Sequence, residues 1–190
     1  MAVRAPCVCL PDHRNRLSIV STMDTIEEVA EFMKQNGLLL VTAESCTAGL
    51  IAAHLADIPG AGALLDCAFV VYSPEAKQHC LEVRPETMER FNLTSEEVAR
   101  EMALGAIVRS RANIAISNTG VADSTDDAIP PGTQCFAWAF QQSGSGDDAA
   151  EPIVFTETRR FPGDRNEVRE ASAEYALQRI PFHFARIARS

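Results

Sequence analysis

Short apolar runs alternate with amphipathic stretches along most of this chain. Apolar or β-branched runs of about four to eight residues between turn residues are typical of buried strands, whereas apolar residues recurring every third or fourth position are typical of helices. The pattern predicts strands at 38–42, 67–72, 113–118, 134–140 and 153–161. It predicts helices at 24–36, 45–56, 94–109 and 164–179, with shorter ones after residue 73 and at 86–91.

The order of these elements predicts the fold. Helices precede and separate the early strands, and loops join the late ones. This favours an α/β fold with a single three-layer α/β/α domain on a mixed sheet of about five to six strands. The chain has 190 residues, enough for one substantial core. Residues 1–22 differ in character, and their apolar segment is too short for a signal peptide. We expect a disordered or extraneous arm at 1–22 and a working domain at 23–190.

Composition and charge narrow the classes of partner. Apolar residues make up 46% and charged residues 23%, as in ordinary globular proteins, and no apolar run approaches the roughly 20 residues of a membrane span. The formal net charge is −9 without a long basic run, which argues against binding to nucleic acid or to anionic membranes. Scattered cysteines that match no zinc spacing favour buried apolar roles in a reducing cytoplasm. They are Cys7, Cys9, Cys46, Cys67, Cys80 and Cys135.

A serine and a lysine carry the candidate chemistry. Ser45 stands at the predicted junction of the first strand and the next helix, where free backbone N–H groups and the helix dipole stabilise developing negative charge. Lys77 lies in the second turn of a helix that Ser73 caps and Pro74 begins. A serine needs a base to take its proton, and a lysine serves as that base when burial lowers its pKa. The pair predicts a Ser/Lys hydrolase site.

The same residues also have plainer interpretations. Ser45 is alternatively only a helix N-cap, and Lys77 an exposed lysine paired with a surface acid such as Glu82. Glu44 is expected to bond the backbone near the turn. His54 is interpreted as a satisfied core histidine rather than a base, and nothing in the local sequence marks Cys46 as an activated nucleophile.

Four blocks of this sequence resemble the C-terminal domain of the CinA (competence-damage-inducible) family and occur in the family's order. They are Thr-Ala-Glu-Ser-Cys-Thr at 42–47, Val-Tyr-Ser-Pro-Glu-Ala-Lys at 71–77, Ser-Asn-Thr-Gly-Val-Ala at 117–122 and Phe-Pro-Gly-Asp-Arg at 161–165. The resemblance implies the CinA C-terminal fold. It also implies a nicotinamide mononucleotide deamidase, which hydrolyses the nicotinamide amide to the acid and ammonia with no metal and no organic cofactor, in pyridine nucleotide salvage.

The resemblance also implies individual roles. Ser45 would be the nucleophile, Lys77 its base and Tyr72 an orienting or proton-relaying group. The substrate-binding positions it implies are Thr47, Thr119, Gly120 and Arg165, the last as an anion contact. Three alternatives stay open: the Tyr72 hydroxyl meets only water, Thr119 only caps a turn, and Arg165 only pairs with Asp164 or Glu167.

Two segments depart from the family pattern. Where the family usually has Gly-Ser-Ser, this chain has Gly-Ala-Gly-Ala at 60–63, so both hydroxyls are absent. Where the family typically has Gly-Ile-Ala-Gly-Pro followed by glycines, this chain has Gly-Val-Ala-Asp at 120–123 and two further aspartates, Asp126 and Asp127. Glycine-rich backbone can wrap a phosphate closely, whereas carboxylates repel it.

Three hypotheses follow for function. The first is a Ser/Lys amidohydrolase acting on nicotinamide mononucleotide or a related amide. The second is a catalytically silent relative that serves as a ligand-binding or assembly module. The third is a hydrolase for an uncharged or cationic amide selected by the aspartates at 123, 126 and 127. A homo-oligomer is expected because the aromatic residues Phe182 and Phe184 need to be covered.

Overall fold

The computed structural model describes residues 23–123, 128–142 and 150–187, and these form one sheet with helices on both faces. The strands are β1 (Leu40–Glu44), β2 (Leu65–Val70), β3 (Ile114–Gly120), β4 (Thr133–Phe140) and β5 (Ile153–Arg160). The helices are α1 (Ile26–Gln35), α2 (Leu50–Ala56), α3 (Pro74–Leu81), α4 (Pro85–Phe91), α5 (Glu96–Val108), α6 (Arg165–Gln178) and α7 (Ile180–Ile187). A short 3₁₀ helix spans Ala61–Ala63. The arm predicted at 1–22, Cys7, Cys9, Asp126 and Asp127 lie outside the described residues.

The sheet is mixed, with strand order β2-β1-β3-β4-β5. β1 pairs in parallel with β2 and β3, whereas β4 runs antiparallel to both β3 and β5. One core joins the sheet to α1, α2, α6 and α7, and includes Met33, Leu55 and Trp138. The other joins it to α3 and α5, and includes Leu81 and Met102. The predicted three-layer α/β/α fold on a mixed sheet is confirmed, with five strands.

Helix starts follow the local capping chemistry. The Ser73 hydroxyl accepts from the Ala76 N–H at 3.1 Å and Pro74 occupies the first turn of α3, as predicted. Asp164 caps α6 in a reciprocal capping box with Glu167. The capping box predicted at 94–97 is wrong, because the N-cap of α5 is Ser95 and the residue three positions later, Val98, has no carboxylate to return the bond.

The strand boundaries of β1 and β2 differ from the prediction. β1 begins at Leu40 rather than at 38, because the Leu38 N–H still donates to the Met33 carbonyl at the end of α1. At its other end β1 extends to Glu44, which pairs with Val70 and Asn118 on the two neighbouring strands. Apolar pattern alone does not separate a strand from the buried connection before it.

The C-terminal segment forms a helix that the sequence pattern did not predict. Within α7, Phe184 packs edge-on against Phe32 at 5.6 Å between ring centroids and lies 6.1 Å from Phe140. Phe182 is 38% exposed, with the Arg179 guanidinium 3.7 Å from its ring centroid. The domain itself therefore covers Phe184, so this ring is no argument for a homo-oligomer, which stays a prediction.

One glycine sets the distance between two helices on the Lys77 side of the sheet. A β-carbon at Gly105 of α5 would lie 2.0 Å from the Leu81 carbonyl oxygen of α3. No side chain fits in that space, so α3 packs directly on the α5 backbone.

Of the described cysteines, Cys46 and Cys135 are buried, Cys67 and Cys80 are partly buried, and all four are free thiols. Among the described residues, none of the helices has both the length and the apolar character needed to cross a bilayer.

Candidate active site

Ser45 and Lys77 meet where β1 and β2 end. The Nζ of Lys77 lies 2.9 Å from the Oγ of Ser45, and it donates to the carbonyl oxygens of Val71 and Tyr72, at 3.0 Å each. Lys77 is 1% exposed and Ser45 is 7% exposed. The structure thus brings together the two residues that the sequence singled out, and Lys77 is not the exposed lysine of the alternative interpretation.

Burial lowers the pKa of Lys77 to about 8. Its surroundings suit both protonation states. The ammonium can donate its three N–H groups to Ser45 and the two carbonyl oxygens. The neutral amine can donate two N–H groups to the carbonyls while its lone pair accepts the Ser45 O–H. A proton can therefore pass between Ser45 and Lys77 with little rearrangement of either side chain.

The prediction that Ser45 begins a helix is wrong. α2 begins at Leu50, and its N-cap is Gly49 with φ of 99°. The Glu44 carboxylate accepts the N–H groups of Gly49, Ile51 and Ala52 at 2.8, 3.1 and 3.0 Å. The N–H groups at the start of α2 therefore already bond to Glu44 and do not supply the oxyanion donors. Ser45 is not the N-cap of α2 either. The expectation that Glu44 bonds the backbone near this turn is confirmed.

The turn between Ser45 and Gly49 is held by Asn118 of β3. The Ser45 N–H donates to the Asn118 carbonyl at 3.0 Å, and the Thr47 N–H donates to the Asn118 Oδ1 at 3.1 Å. Within the described part of the chain, the N–H of Cys46 has no acceptor. Cys46 directly follows Ser45 in the sequence, so this N–H belongs to the peptide group next to the Ser45 side chain.

Arg169 of α6 holds the same turn from the opposite side. Its Nε donates to the Cys46 carbonyl at 3.0 Å and its Nη2 to the Thr47 carbonyl at 3.2 Å. Gln134 of β4 donates to the Cys46 Sγ at 3.3 Å and accepts from the Asn118 Nδ2 at 2.9 Å. Sequence reasoning missed Arg169, Gln134 and Asn118. Of these three residues, only Asn118 lies inside one of the four motif blocks. Its place in that block is the one feature of the sequence that could have indicated a role at the site.

Tyr72, Arg165 and Asp123 form a polar group at the surface. The Arg165 Nη2 donates to the Tyr72 hydroxyl at 3.0 Å, and its Nη1 lies 3.1 and 3.0 Å from the two carboxylate oxygens of Asp123. Tyr72 is 59% exposed and reaches Lys77 through its carbonyl oxygen, not its hydroxyl. The alternative that pairs Arg165 with Asp164 or Glu167 is wrong, because those two carboxylates bond the backbone at the start of α6.

The other implied substrate-binding positions, Thr47, Thr119 and Gly120, differ in their contacts within the fold. Thr47 is buried, and its hydroxyl has no partner among the described residues. The Thr119 hydroxyl donates to the Leu93 carbonyl at 2.7 Å. A β-carbon at Gly120 would lie 2.5 Å from the Gln134 side chain, so Gly120 has a packing reason of its own. Their roles toward a substrate stay predictions.

Two neighbouring residues have structural roles. Burial raises the pKa of the Cys46 thiol, which keeps it protonated and a weak nucleophile. The Nε2 of His54 lies 2.8 Å from the Glu170 carboxylate, so this histidine has its partner on α6. In the described ranges, no group of three or more His, Cys, Asp or Glu side chains is placed to hold a metal ion.

Neither of two grooves on the described surface is lined by Ser45 or Lys77. These grooves, of about 450 and 310 Å³, run along α3 and α4. Their lining includes Gln78, Met88 and Leu93, but not Ser45 or Lys77. The Tyr72 carbonyl accepts from Lys77 and the Tyr72 hydroxyl accepts from Arg165, and we call the surface group of Tyr72, Arg165 and Asp123 the rim.

Comparison with known proteins places this chain in a family. The nicotinamide-nucleotide amidohydrolase PncC of Escherichia coli strain K12 is 39% identical over 160 residues, which are 83% of this chain and 92% of that protein. A CinA-like protein of Chlorobium phaeobacteroides is 38% identical over 171 residues, which are 88% of this chain but only 39% of that longer relative.

Solved structures agree. A CinA superfamily protein from Klebsiella pneumoniae superposes with a TM-score of 0.76 at 33% identity, over 87% of this chain and 99% of that one. The family model of the CinA C-terminal domain matches residues 22–182. This chain therefore belongs to the CinA C-terminal domain family.

Proposed function

We propose that this chain is an amidohydrolase that deamidates nicotinamide mononucleotide or a related amide, with Ser45 as nucleophile and Lys77 as base. One observation carries the proposal: a buried amine with a pKa of about 8 lies 2.9 Å from a serine hydroxyl. The name of the Escherichia coli relative, a nicotinamide-nucleotide amidohydrolase, supports the substrate class.

The first half-reaction forms an acyl-enzyme. The neutral Lys77 amine takes the hydroxyl proton of Ser45 as Oγ bonds to the amide carbon, and the carbonyl electron pair moves onto oxygen. We assign the N–H of Cys46 as a donor to that oxyanion, because it directly follows Ser45 and has no acceptor among the described residues. When the carbonyl re-forms, the C–N bond breaks and the leaving nitrogen takes the proton from Lys77, so that ammonia departs.

The second half-reaction returns the enzyme. A water molecule gives a proton to Lys77 as its oxygen bonds to the ester carbon. The C–Oγ bond then breaks, Oγ takes the proton back from Lys77, and the carboxylic acid leaves. Both halves use the same short path between Oγ and Nζ, which is consistent with the ability of the Lys77 site to satisfy both protonation states.

Ammonia release from nicotinamide mononucleotide tests the proposal. We expect turnover by the unaltered chain, loss of activity by at least about a thousandfold in Ser45→Ala and Lys77→Ala, and normal activity in Ser110→Ala, which removes a serine hydroxyl bonded elsewhere. Because the mechanism assigns activation to Lys77 alone, a chelator is expected to leave the rate unchanged. Full activity in Ser45→Ala or Lys77→Ala would refute the assigned pair.

A second candidate function is a catalytically silent binding or assembly module. The observation that favours it is the Asp123 carboxylate on Arg165, together with the missing hydroxyls at 60–63. This candidate predicts no ammonia release from a panel of amides, with saturable binding of a ligand retained.

Cytoplasmic location, pyridine nucleotide salvage and a homo-oligomer complete the proposed setting. Light scattering on purified protein at several concentrations tests the assembly, and a monomer throughout would contradict it.

A further inference from the structure

The Asp123–Arg165 pair lies beside the nucleophile. Ala122 packs with Cys46 and Val168 in a small buried cluster. Ala122 precedes Asp123, Cys46 follows Ser45, and Val168 lies one turn beyond Arg165 on α6. This cluster therefore fixes both charged residues at the rim next to Ser45.

The charges of Arg165 and Asp123 also act on the turn after Ser45, through their effect on the pKa of the Cys46 thiol. Burial has the largest effect on the Cys46 thiol and raises its pKa, while Arg165 lowers this pKa and Asp123 raises it again. On the other side, Tyr72 links the rim to the base, since its hydroxyl accepts from Arg165 and its carbonyl accepts from Lys77.

Arg165 is the rim residue suited to a phosphate, because a guanidinium offers paired donors to an anion. In this chain part of that capacity is already used. One nitrogen bonds both Asp123 oxygens and another bonds Tyr72, while both side chains of the ion pair are 47% exposed. An incoming phosphate, which carries a charge of about −1.5 to −2, would have to compete with the Asp123 carboxylate and remain close to it.

We propose that Asp123 is a specificity-determining residue: it neutralises Arg165 at the mouth of the Ser45–Lys77 site and shifts selectivity from phosphorylated amides toward amides without phosphate. The inference rests on the proposed function and refines its substrate class. Nicotinamide riboside, which keeps the cationic ring and lacks the phosphate, is the substrate type that this rim favours. A carboxylate at the rim repels the phosphate of the mononucleotide, whereas its attraction for the cationic ring is shared by both compounds.

The test compares kcat/KM for nicotinamide mononucleotide and nicotinamide riboside in the unaltered chain, in Asp123→Asn and in Glu174→Gln. Glu174 is exposed further along α6, so its replacement removes the same charge away from the rim. We expect the ratio of mononucleotide to riboside to rise about tenfold in Asp123→Asn, because one like charge near the phosphate is removed. The ratio should stay constant in Glu174→Gln.

Calorimetric dissociation constants for the two compounds give a second measure of the same ratio. They separate this inference from the proposed function, because a shifted affinity ratio without ammonia release would support the role of Asp123 and refute the amidohydrolase. Ammonia release with an unchanged ratio of mononucleotide to riboside in folded Asp123→Asn would support the amidohydrolase and refute the role of Asp123. The inference is also overturned if neither compound binds to any of the variants, or if Glu174→Gln shifts the ratio equally.

Discussion

The Nε of Arg169 donates to the carbonyl oxygen of Cys46 at 3.0 Å, which connects α6 to the residue directly after Ser45. A second bond, from Nη2 to the Thr47 carbonyl, fixes the orientation of the turn. These two bonds fix the peptide groups that follow Cys46 and Thr47 and so limit how the turn after Ser45 can move. We therefore expect Arg169 to act as a positioning residue for the turn after Ser45, the proposed nucleophile.

Replacing Arg169 tests that role. Arg169→Gln is expected to lower kcat by about 10- to 100-fold, because misplacement of a reacting group by about 1 Å is enough for such a loss. KM and the melting temperature should change little. Arg169→Lys should recover only part of kcat, since an ammonium lacks the planar fork that spans two carbonyls. Arg100→Gln, on the exposed face of α5, is the matched control. A fall in melting temperature that accounts for the lost activity would contradict a positioning role.

The pKa of Lys77 predicts the pH dependence of the reaction. Burial lowers this pKa to about 8, so the amine is mostly protonated below pH 8 and neutral above it. The neutral form is the base, and kcat/KM should therefore rise with pH, with a midpoint near 8. A rate that is flat between pH 6 and 9, or that falls over this range, would argue against Lys77 as the base.

Glu44 predicts a large loss of stability on truncation. Its carboxylate is fully buried and accepts the N–H groups of Gly49, Ile51 and Ala52. Glu44→Ala leaves these donors unpaired and is expected to lower the free energy of unfolding by about 2–4 kcal/mol. Urea unfolding of Glu44→Ala against Glu174→Ala, an exposed acid, measures the difference. A loss below about 0.5 kcal/mol would show that water replaces the carboxylate.

His183 predicts a fall in stability at acid pH. It lies 4.3 Å from Trp138 and 5.0 Å from Phe155 between ring centroids, and burial lowers its pKa from 6.5 to about 4. Because the unfolded chain binds this proton more tightly, stability is complete above about pH 6.5 and falls as pH drops toward 4. The shift corresponds to about 3 kcal/mol.

The variant His183→Leu isolates that contribution from the other charges that face the ring. Those charges are Glu157, whose Oε1 lies 3.4 Å from the Nε2 of His183, together with Arg179 and Arg186. Unfolding free energies between pH 4 and 7 should vary less in His183→Leu than in the unaltered chain.

The position of Lys77 could be predicted from sequence because local chemistry determines it. A serine cap and a proline in the first turn define where α3 begins, and the spacing then places Lys77 in the second turn. The start of α2 could not be predicted in the same way. The segment after Ser45 has helix-compatible spacing, but Ala48 and Gly49 adopt φ of 51° and 99°, and the Glu44 carboxylate takes the N–H groups at the helix start.

The supporting contacts of the site were hidden for a different reason. Arg169 reaches Cys46 and Gln134 reaches the same residue from far along the chain, so no periodicity or capping rule connects them. The pairing of Arg165 with Asp123 was also unpredicted. The expected partners, Asp164 and Glu167, already bond to backbone N–H groups in the capping box of α6. Tertiary packing decides these contacts, and a single sequence does not show it.

The absence of a β-carbon at Gly105 affects more than the distance between α3 and α5. Leu81 and Lys77 share α3, so a methyl group at position 105 would push the whole helix outward and draw the amine away from the Ser45 hydroxyl. Such a chain would retain all four blocks by which a family member is recognised, yet the Nζ of Lys77 would no longer reach the Oγ of Ser45. A search that uses only the motif residues would count it among the members with an intact Ser45–Lys77 pair. A search that also requires glycine at position 105 would not.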